Sequence, residues 1–260
     1  YELEATYNKR LNDDWSFTVK GNFAYNKNTQ RFMDEAQKTA DYAYRYRSTG
    51  YSIGQCFGYK IDYSNGNGYI NTEEELDNAL ATYQVGGTPR LGDFLYVDVN
   101  EDGVIDEKDQ APIKYSDIPR ITYGFSGSVN WKNFDFSFLF SGIAKASRVY
   151  TGWGATEFGL VGFYSDYHLQ AWTAERYANG EEIKYPALAS SPGTSQKAND
   201  FFIMDRSFLR LKNIELGYTL PKKLLKKVGI NSTRVYVNGN NLLTWKAMKT
   251  DAIDPEQSAE

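Results

Sequence analysis

The chain has 260 residues and a formal net charge of −4, and 16% of its residues are aromatic. This length allows one large domain or two small ones, and the acidic balance argues against nucleic acid as a partner. One cysteine and one histidine exclude an intrachain disulfide framework, a cysteine zinc site and a multi-histidine metal site. No stretch approaches the roughly 18 apolar residues of a membrane-spanning helix.

Apolar and polar residues alternate along much of the chain, which predicts about six strands of about ten residues each. These segments are residues 1–8, 15–26, 121–131, 134–141, 213–220 and 234–238. One face of the predicted sheet is apolar and carries Trp15, Phe17, Val19, Phe23, Tyr123, Phe125, Val129, Phe134, Phe136, Phe138 and Phe140. The opposite face is polar and carries Thr18, Asn22, Ser126, Ser128 and Ser137.

The alternation is interrupted just before the fifth segment. Leu209 and Leu211 fall on the other face from Ile214. A β-bulge near Lys212 or Asn213 would bring the three residues to one face. The alternative is that the two leucines face inward.

The connections between these segments alternate in length. The first and second segments, and the third and fourth, are joined by tight turns, whereas residues 27–120 and 148–207 form long connections. Such alternation is typical of an antiparallel transmembrane β-barrel, an all-β fold with short periplasmic turns and long extracellular loops. Its apolar row would face lipid and its polar row the lumen. A soluble β-sandwich or jelly roll is the alternative, because strands alternate there too.

Several stretches carry a resemblance to a known family. Gly92–Asp106 reads GDFLYVDVNEDGVID, Ile118–Gly124 reads IPRITYG and Ser207–Pro221 reads SFLRLKNIELGYTLP. Arg234–Thr244 reads RVYVNGNNLLT, and Asp254–Glu256 reads DPE. In sequence, order and spacing these stretches resemble the SusC/RagA family, the TonB-dependent outer-membrane transporters of Bacteroidetes.

The resemblance implies that residues 1–260 are the C-terminal part of a receptor barrel, truncated at both ends, without signal peptide, plug domain or last strand. It places the protein in the bacterial outer membrane, in contact with its lipid. It also implies uptake of glycans or oligopeptides with a SusD-like surface lipoprotein as partner. The TonB complex would supply energy through the missing N-terminal part.

Asp98–Asp109 has the twelve-residue spacing of a calcium-binding loop. The expected ligands are Asp98, Asn100, Asp102, the backbone carbonyl of Val104, and Asp109. Gly103 occupies the position of the tight turn. Calcium is therefore a candidate cofactor that would stiffen the first long connection. The alternative is a metal-free acidic loop that keeps the same shape.

Aromatic residues in the second long connection are candidates for stacking on sugar rings. They are Trp153, Tyr164, Tyr167 and Trp172, and the alternative is that they pack the loop itself. His168 is expected on the surface of this connection. It lies too near Ser165 and Asp166 in sequence for a catalytic triad, and no acid–base pair or nucleophile indicates an enzyme. The alternative function is a soluble β-sandwich carbohydrate-binding module with a structural calcium loop.

Overall fold

The computed structural model describes residues 1–151, 156–157, 164, 166–191, 193–225, 229–251 and 253–256, with Tyr167 and Leu224 described by their backbone alone. The chain divides into two compact units. The first, the sheet unit, contains Tyr1–Lys27, Pro119–Lys145 and Ser207–Ala247. The second, the loop unit, contains Asn28–Ile118, Ala146–Arg206 and Met248–Glu260.

The strands, in chain order, are β1 (Glu2–Arg10), β2 (Trp15–Tyr25), β3 (Gln55–Gly58), β4 (Ala111–Ser116), β5 (Ile121–Trp131), β6 (Phe134–Ala144), β7 (Ser147–Val149), β8 (Ile203–Asp205), β9 (Phe208–Thr219) and β10 (Arg234–Lys246). The helices are α1 (Glu73–Thr82), α2 (Ala174–Ala178) and α3 (Lys222–Leu225), and 3₁₀ turns span Glu107–Asp109 and Asp166–Gln170. No helix within the described ranges is long and apolar enough to cross a membrane.

The sheet unit is one antiparallel sheet of six strands in the order β1-β2-β5-β6-β9-β10. All six strands predicted from alternation are present, and each pairs with its neighbour along the sheet. The apolar residues form ladders across the strands because the register keeps them in line. One ladder runs through Phe17, Val129, Phe136, Leu216 and Val237.

The apolar face of the sheet is open, since Phe125 is 46% exposed and Leu216 is 48% exposed. The sheet unit contains a single sheet, so no second sheet within it packs on the phenylalanine row. The sandwich alternative is therefore wrong, and the fold is an antiparallel barrel wall. Aromatic rings of the apolar face also contact one another beside the short turns. The ring centroids of Trp15 and Trp131 lie 5.5 Å apart, and those of Phe134 and Tyr218 lie 4.6 Å apart.

The opposite face of the sheet is polar. Thr18, Ser128, Ser137, Glu215 and Asn238 follow one another across it. Charged side chains on this face also pair with each other. The guanidinium of Arg234 donates to both carboxylate oxygens of Asp135 and, at a distance of 2.6 Å, to the Glu215 carboxylate. Hydroxyl, amide and paired ionic groups on this face suit a water-filled lumen.

The interruption in the fifth predicted strand is a β-bulge. Leu139 pairs with Asn213 and Phe140 pairs with Leu211, so Lys212 is the extra residue. The bulge returns Leu209 and Leu211 to the face that carries Ile214, as the first alternative predicted. β10 extends beyond the predicted residue 238 because a second irregularity, with Asn241 at φ 53°, lets pairing continue to Lys246.

The loop unit contains two small sheets, β3 with β4 and β7 with β8, and the helix α1. Thr72 caps α1: its side chain accepts from the backbone N–H of Glu75, and the Glu75 carboxylate accepts from that of Thr72. The helix begins at Glu73, directly after this cap. The unit's aromatic core includes Tyr59, Phe94, Tyr96, Tyr185 and Phe202.

A lysine on the apolar face should destabilise the sheet far more than a lysine on the polar face. For Phe138→Lys, near the middle of β6, we expect a loss of about 2–4 kcal/mol, because a charge there would lie in hydrocarbon. The neighbouring variant Ser137→Lys places the charge on the polar face and is the matched control. Urea unfolding of the protein in lipid vesicles, followed by its heat-modifiable migration on gels, measures the stability of both variants. Equal losses in the two variants would contradict the assignment of faces.

Candidate functional site

Asp93 is a buried carboxylate that joins the two long connections within the loop unit. Its side chain is fully buried and accepts from the hydroxyls of Thr194, at 3.0 Å, and Ser195, at 2.9 Å. It also accepts from the backbone N–H of Arg90 at 3.0 Å, and the Arg90 guanidinium lies 3.4 Å away. Buried charge is tolerated only when it is paired and hydrogen-bonded in this way.

The glycine before Asp93 is required by packing. Gly92 has φ +81°, and a Cβ there would lie 2.5 Å from the Trp172 ring and 2.6 Å from the Ala187 side chain. The Gly92–Asp93 pair therefore lets the backbone pass close to Trp172 and places the carboxylate against Thr194 and Ser195.

A second polar contact ties the same segments. Tyr96 Oη donates to the Thr194 carbonyl at 2.8 Å, and the Asn199 amide donates to Tyr96 Oη at 3.0 Å. Asn199 Oδ1 in turn accepts from the backbone N–H groups of Phe201 and Phe202. The aromatic core is thus fixed from both long connections by buried hydrogen bonds.

The ends of both connections meet at one carboxylate. Asp117, near the end of the first, lies 2.7 Å from Arg148 at the start of the second and 3.0 Å from Arg206 at its end. Its hydrogen bonds raise the pKa of the Arg148 guanidinium, which favours the charged form of that side chain. Two guanidinium groups on one carboxylate hold the three chain segments in a fixed arrangement.

The predicted calcium loop is closed by its own hydrogen bonds. Asp98 accepts from the backbone N–H of Glu101 and Gly103, both at 2.7 Å. Asp109 is fully buried and accepts from Val99 and Asn100 with one oxygen and from Asp106 with the other. Asp102 accepts from the backbone N–H of Val104 at 2.9 Å.

A lysine supplies positive charge beside this loop. Lys108 Nζ lies 2.9 Å from Asp41, 3.6 Å from Asp106 and 3.9 Å from Asp102. Hydrogen bonds from Thr39 and Lys108 lower the pKa of Asp41 to about 2. In the described residues, no group of three or more His, Cys, Asp or Glu side chains is arranged to hold a metal ion. Calcium binding here stays a prediction.

The four residues predicted to stack on sugar rings do not share one environment. Tyr164 is 68% exposed, whereas Trp172 is buried and its Nε1 donates to Asn71 Oδ1 at 3.0 Å. Trp153 and the side chain of Tyr167 lie outside the described residues. Trp172 therefore packs the loop unit, as the alternative held, and a role in substrate contact stays a prediction for Tyr164.

The expectation of a surface histidine is wrong. His168 is buried, and its ring centroid lies 4.4 Å from that of Tyr185. It belongs to a turn, Asp166–Gln170, that packs on the aromatic core. The residues next to His168 do not signal this packing, because its partner Tyr185 lies beyond the next helix, α2.

Sequence reasoning also missed a cleft in the loop unit, about 560 Å³ in volume, lined by aromatic rings and lysines. Its lining includes Tyr63 and Asn67 from the first connection, Lys184 and Phe201 from the second, and Lys249 from the segment after β10. The Asn- and Gly-rich run Asn65–Gly68 signals a turn, but no local pattern links that turn to Lys249.

No family model matches the chain. Among curated proteins it is similar to the TonB-dependent receptor P26 of Formosa agariphila, with 30% identity over 194 residues, which is 74% of this chain and 18% of the relative. It is also similar to the TonB-dependent receptor P3 of the same organism, with 28% identity over 270 residues, which is 98% of this chain and 25% of that receptor. The chain thus spans a quarter or less of these relatives' length.

Solved structures share its fold. The RagAB peptide transporter matches with a TM-score of 0.63 and 23% identity, over 98% of this chain and 26% of that one. Its "open-open" state matches with a TM-score of 0.58 at the same identity, over the same shares of the two chains. The chain belongs to the TonB-dependent receptors. The relatives of this receptor chain are named as receptors and transporters, not as enzymes.

Removing the buried carboxylate of the receptor's loop unit should loosen that unit. For Asp93→Ala we expect a loss on the order of 3 kcal/mol, because the hydroxyls of Thr194 and Ser195 lose their acceptor while buried. Asp93→Asn keeps one acceptor oxygen and should lose less. Asp77→Ala, at an exposed site on α1, is the control. Limited proteolysis of the folded receptor reports the loosening, and unchanged cleavage of Asp93→Ala would refute it.

The acidic loop of the receptor should bind calcium better once its lysine is removed. In Lys108→Met the ammonium no longer competes for Asp41, Asp102 and Asp106, so calorimetric titration should show tighter calcium binding than in the parent. Asp98→Ala combined with Asp102→Ala should abolish the heat. Lys60→Met, at an exposed lysine elsewhere, should behave as the parent. No heat in any variant would leave the loop a metal-free turn.

Proposed function

We propose that this chain is part of an outer-membrane importer, energised by TonB, that takes up glycans or oligopeptides together with a SusD-like surface lipoprotein. The observation that carries the proposal is the sheet unit. Its apolar face is open and its polar face pairs its own charges, which is the division expected between lipid and a watery lumen. The names of the Formosa receptors and of the RagAB transporter support the same role.

The loop unit is the proposed site of substrate and partner contact. It is built from both long connections, which in a receptor barrel stand on the extracellular side. Buried polar contacts at Asp93 and a fork of two arginines at Asp117 give it a defined structure. Long connections with a core of their own are usually functional, because a purely linking segment needs no such core.

The test removes the second long connection from the receptor. Replacing residues 149–205 with a short Gly-Ser linker should impair uptake and co-purification of the lipoprotein, while the barrel stays folded and heat-modifiable. The control inserts the same linker in the turn 11–14, where we expect normal uptake. A strain without TonB should show no energised uptake by the parent receptor. Normal uptake and normal co-purification after the replacement would contradict the proposed role of the loop unit.

A further inference from the structure

The cleft of the loop unit has an aromatic floor. Tyr69 and Phe94 stack with centroids 5.2 Å apart, and Phe201 lies 5.2 Å from Phe94. These three rings are buried, so they present a fixed apolar surface. Tyr63, Asn67, Lys184 and Lys249 stand around it.

Tyr63 is held as a half-exposed platform at the edge of this floor. A Cβ on Gly68, which has φ +77°, would lie 2.9 Å from the Tyr63 ring, so the ring packs closely on the glycine backbone. Tyr63 nevertheless remains 52% exposed to solvent. The turn beneath is fixed by Asn65, whose Oδ1 accepts from Gly68 at 2.9 Å and whose amide donates to Tyr69 at 2.7 Å. A ligand ring would therefore meet a preorganised surface.

Tyr63 also brings a hydrogen-bond donor to this cleft. Burial raises the pKa of Tyr63 to about 12, so its hydroxyl is protonated at physiological pH. A phenol with one face exposed and its hydroxyl protonated can stack on a sugar ring and donate to a sugar oxygen.

Lys249 is the cation that a ligand would meet. Its Nζ lies 5.1 Å from the centroid of Phe201, and among the described residues it forms no ion pair within 4.0 Å. Lys184 is already paired with Glu182 at 3.0 Å, and both of those side chains are about half exposed or more. An incoming anion would gain a new partner at Lys249, whereas at Lys184 it would have to compete with Glu182.

Two carboxylates adjoin the cleft, and neither neutralises Lys249 directly. Glu182 pairs with Lys184. Asp200 points its Oδ2 at the Ile61 N–H, 3.4 Å away, and burial raises its pKa. The Lys114 ammonium donates to the backbone carbonyl of Asp200 at 3.1 Å, which adds a further positive charge behind the floor.

We propose that this cleft binds a sugar residue carrying an acidic group, with Tyr63 stacking on the ring and Lys249 meeting the carboxylate or sulfate. The proposal rests on the proposed import function and names the substrate class of the loop unit. The lining residues belong to turns and isolated bridges rather than to an edge strand. An extended peptide would need such an edge for its main-chain hydrogen bonds, so the observations favour a sugar.

Calorimetry on the detergent-purified receptor tests this with three probes: trigalacturonate, its methyl ester and N-acetyl-glycyl-phenylalanine. The methyl ester keeps the rings and removes the charge. We expect Lys249→Met to weaken binding of trigalacturonate about fivefold and to leave the ester nearly unchanged. Tyr63→Ala should weaken both sugars about tenfold, whereas Tyr63→Phe keeps the ring and should retain most of the affinity. Lys60→Met is the matched control.

Equal binding of acid and ester, or acid binding unaffected by Lys249→Met, would overturn the assignment. Preferential binding of the dipeptide that depends on Lys249 would identify a peptide site instead. If no probe binds while uptake remains TonB-dependent and loop-dependent, the cleft assignment fails and the import function stands. Heat-modifiable migration of every variant confirms that the barrel is folded.

Discussion

The loop unit depends on one buried charge. Asp93 has no solvent exposure, so its carboxylate is stable only because two hydroxyls, a backbone N–H and a guanidinium surround it. Those partners come from both long connections, and they bring together residues about a hundred positions apart. The aromatic core, the arginine fork and the cleft all belong to the unit that this carboxylate joins.

The sheet could be read from the sequence because the face of each residue in a strand follows from its position alone. The same rule located the bulge, since Leu209 and Leu211 conflict with Ile214 unless one residue is extra. It failed in β10, where Asn240 and Asn241 interrupt the alternation although pairing continues.

The loop unit could not be read in this way. Its contacts join turns that are distant in sequence, and such contacts leave no periodic trace. His168 was expected on the surface, and Trp172 was a candidate for either stacking on a sugar or packing the loop. Both are buried against partners outside their own segment, Tyr185 and Asn71. The spacing of the acidic loop indicated its oxygen-bearing residues but not the role of Lys108. The ammonium group of Lys108 lies within 4.0 Å of three carboxylates of this region.

The discontinuity of the loop unit has a consequence for the order of folding. Thr194 and Ser195 are synthesised about a hundred residues after Asp93, at a typical rate of about 5–20 residues per second. For several seconds the first connection is therefore without the hydroxyl donors and aromatic partners it needs, and closing so long a loop is slow. Its apolar rings remain exposed during that interval and are available for misassembly with another nascent chain.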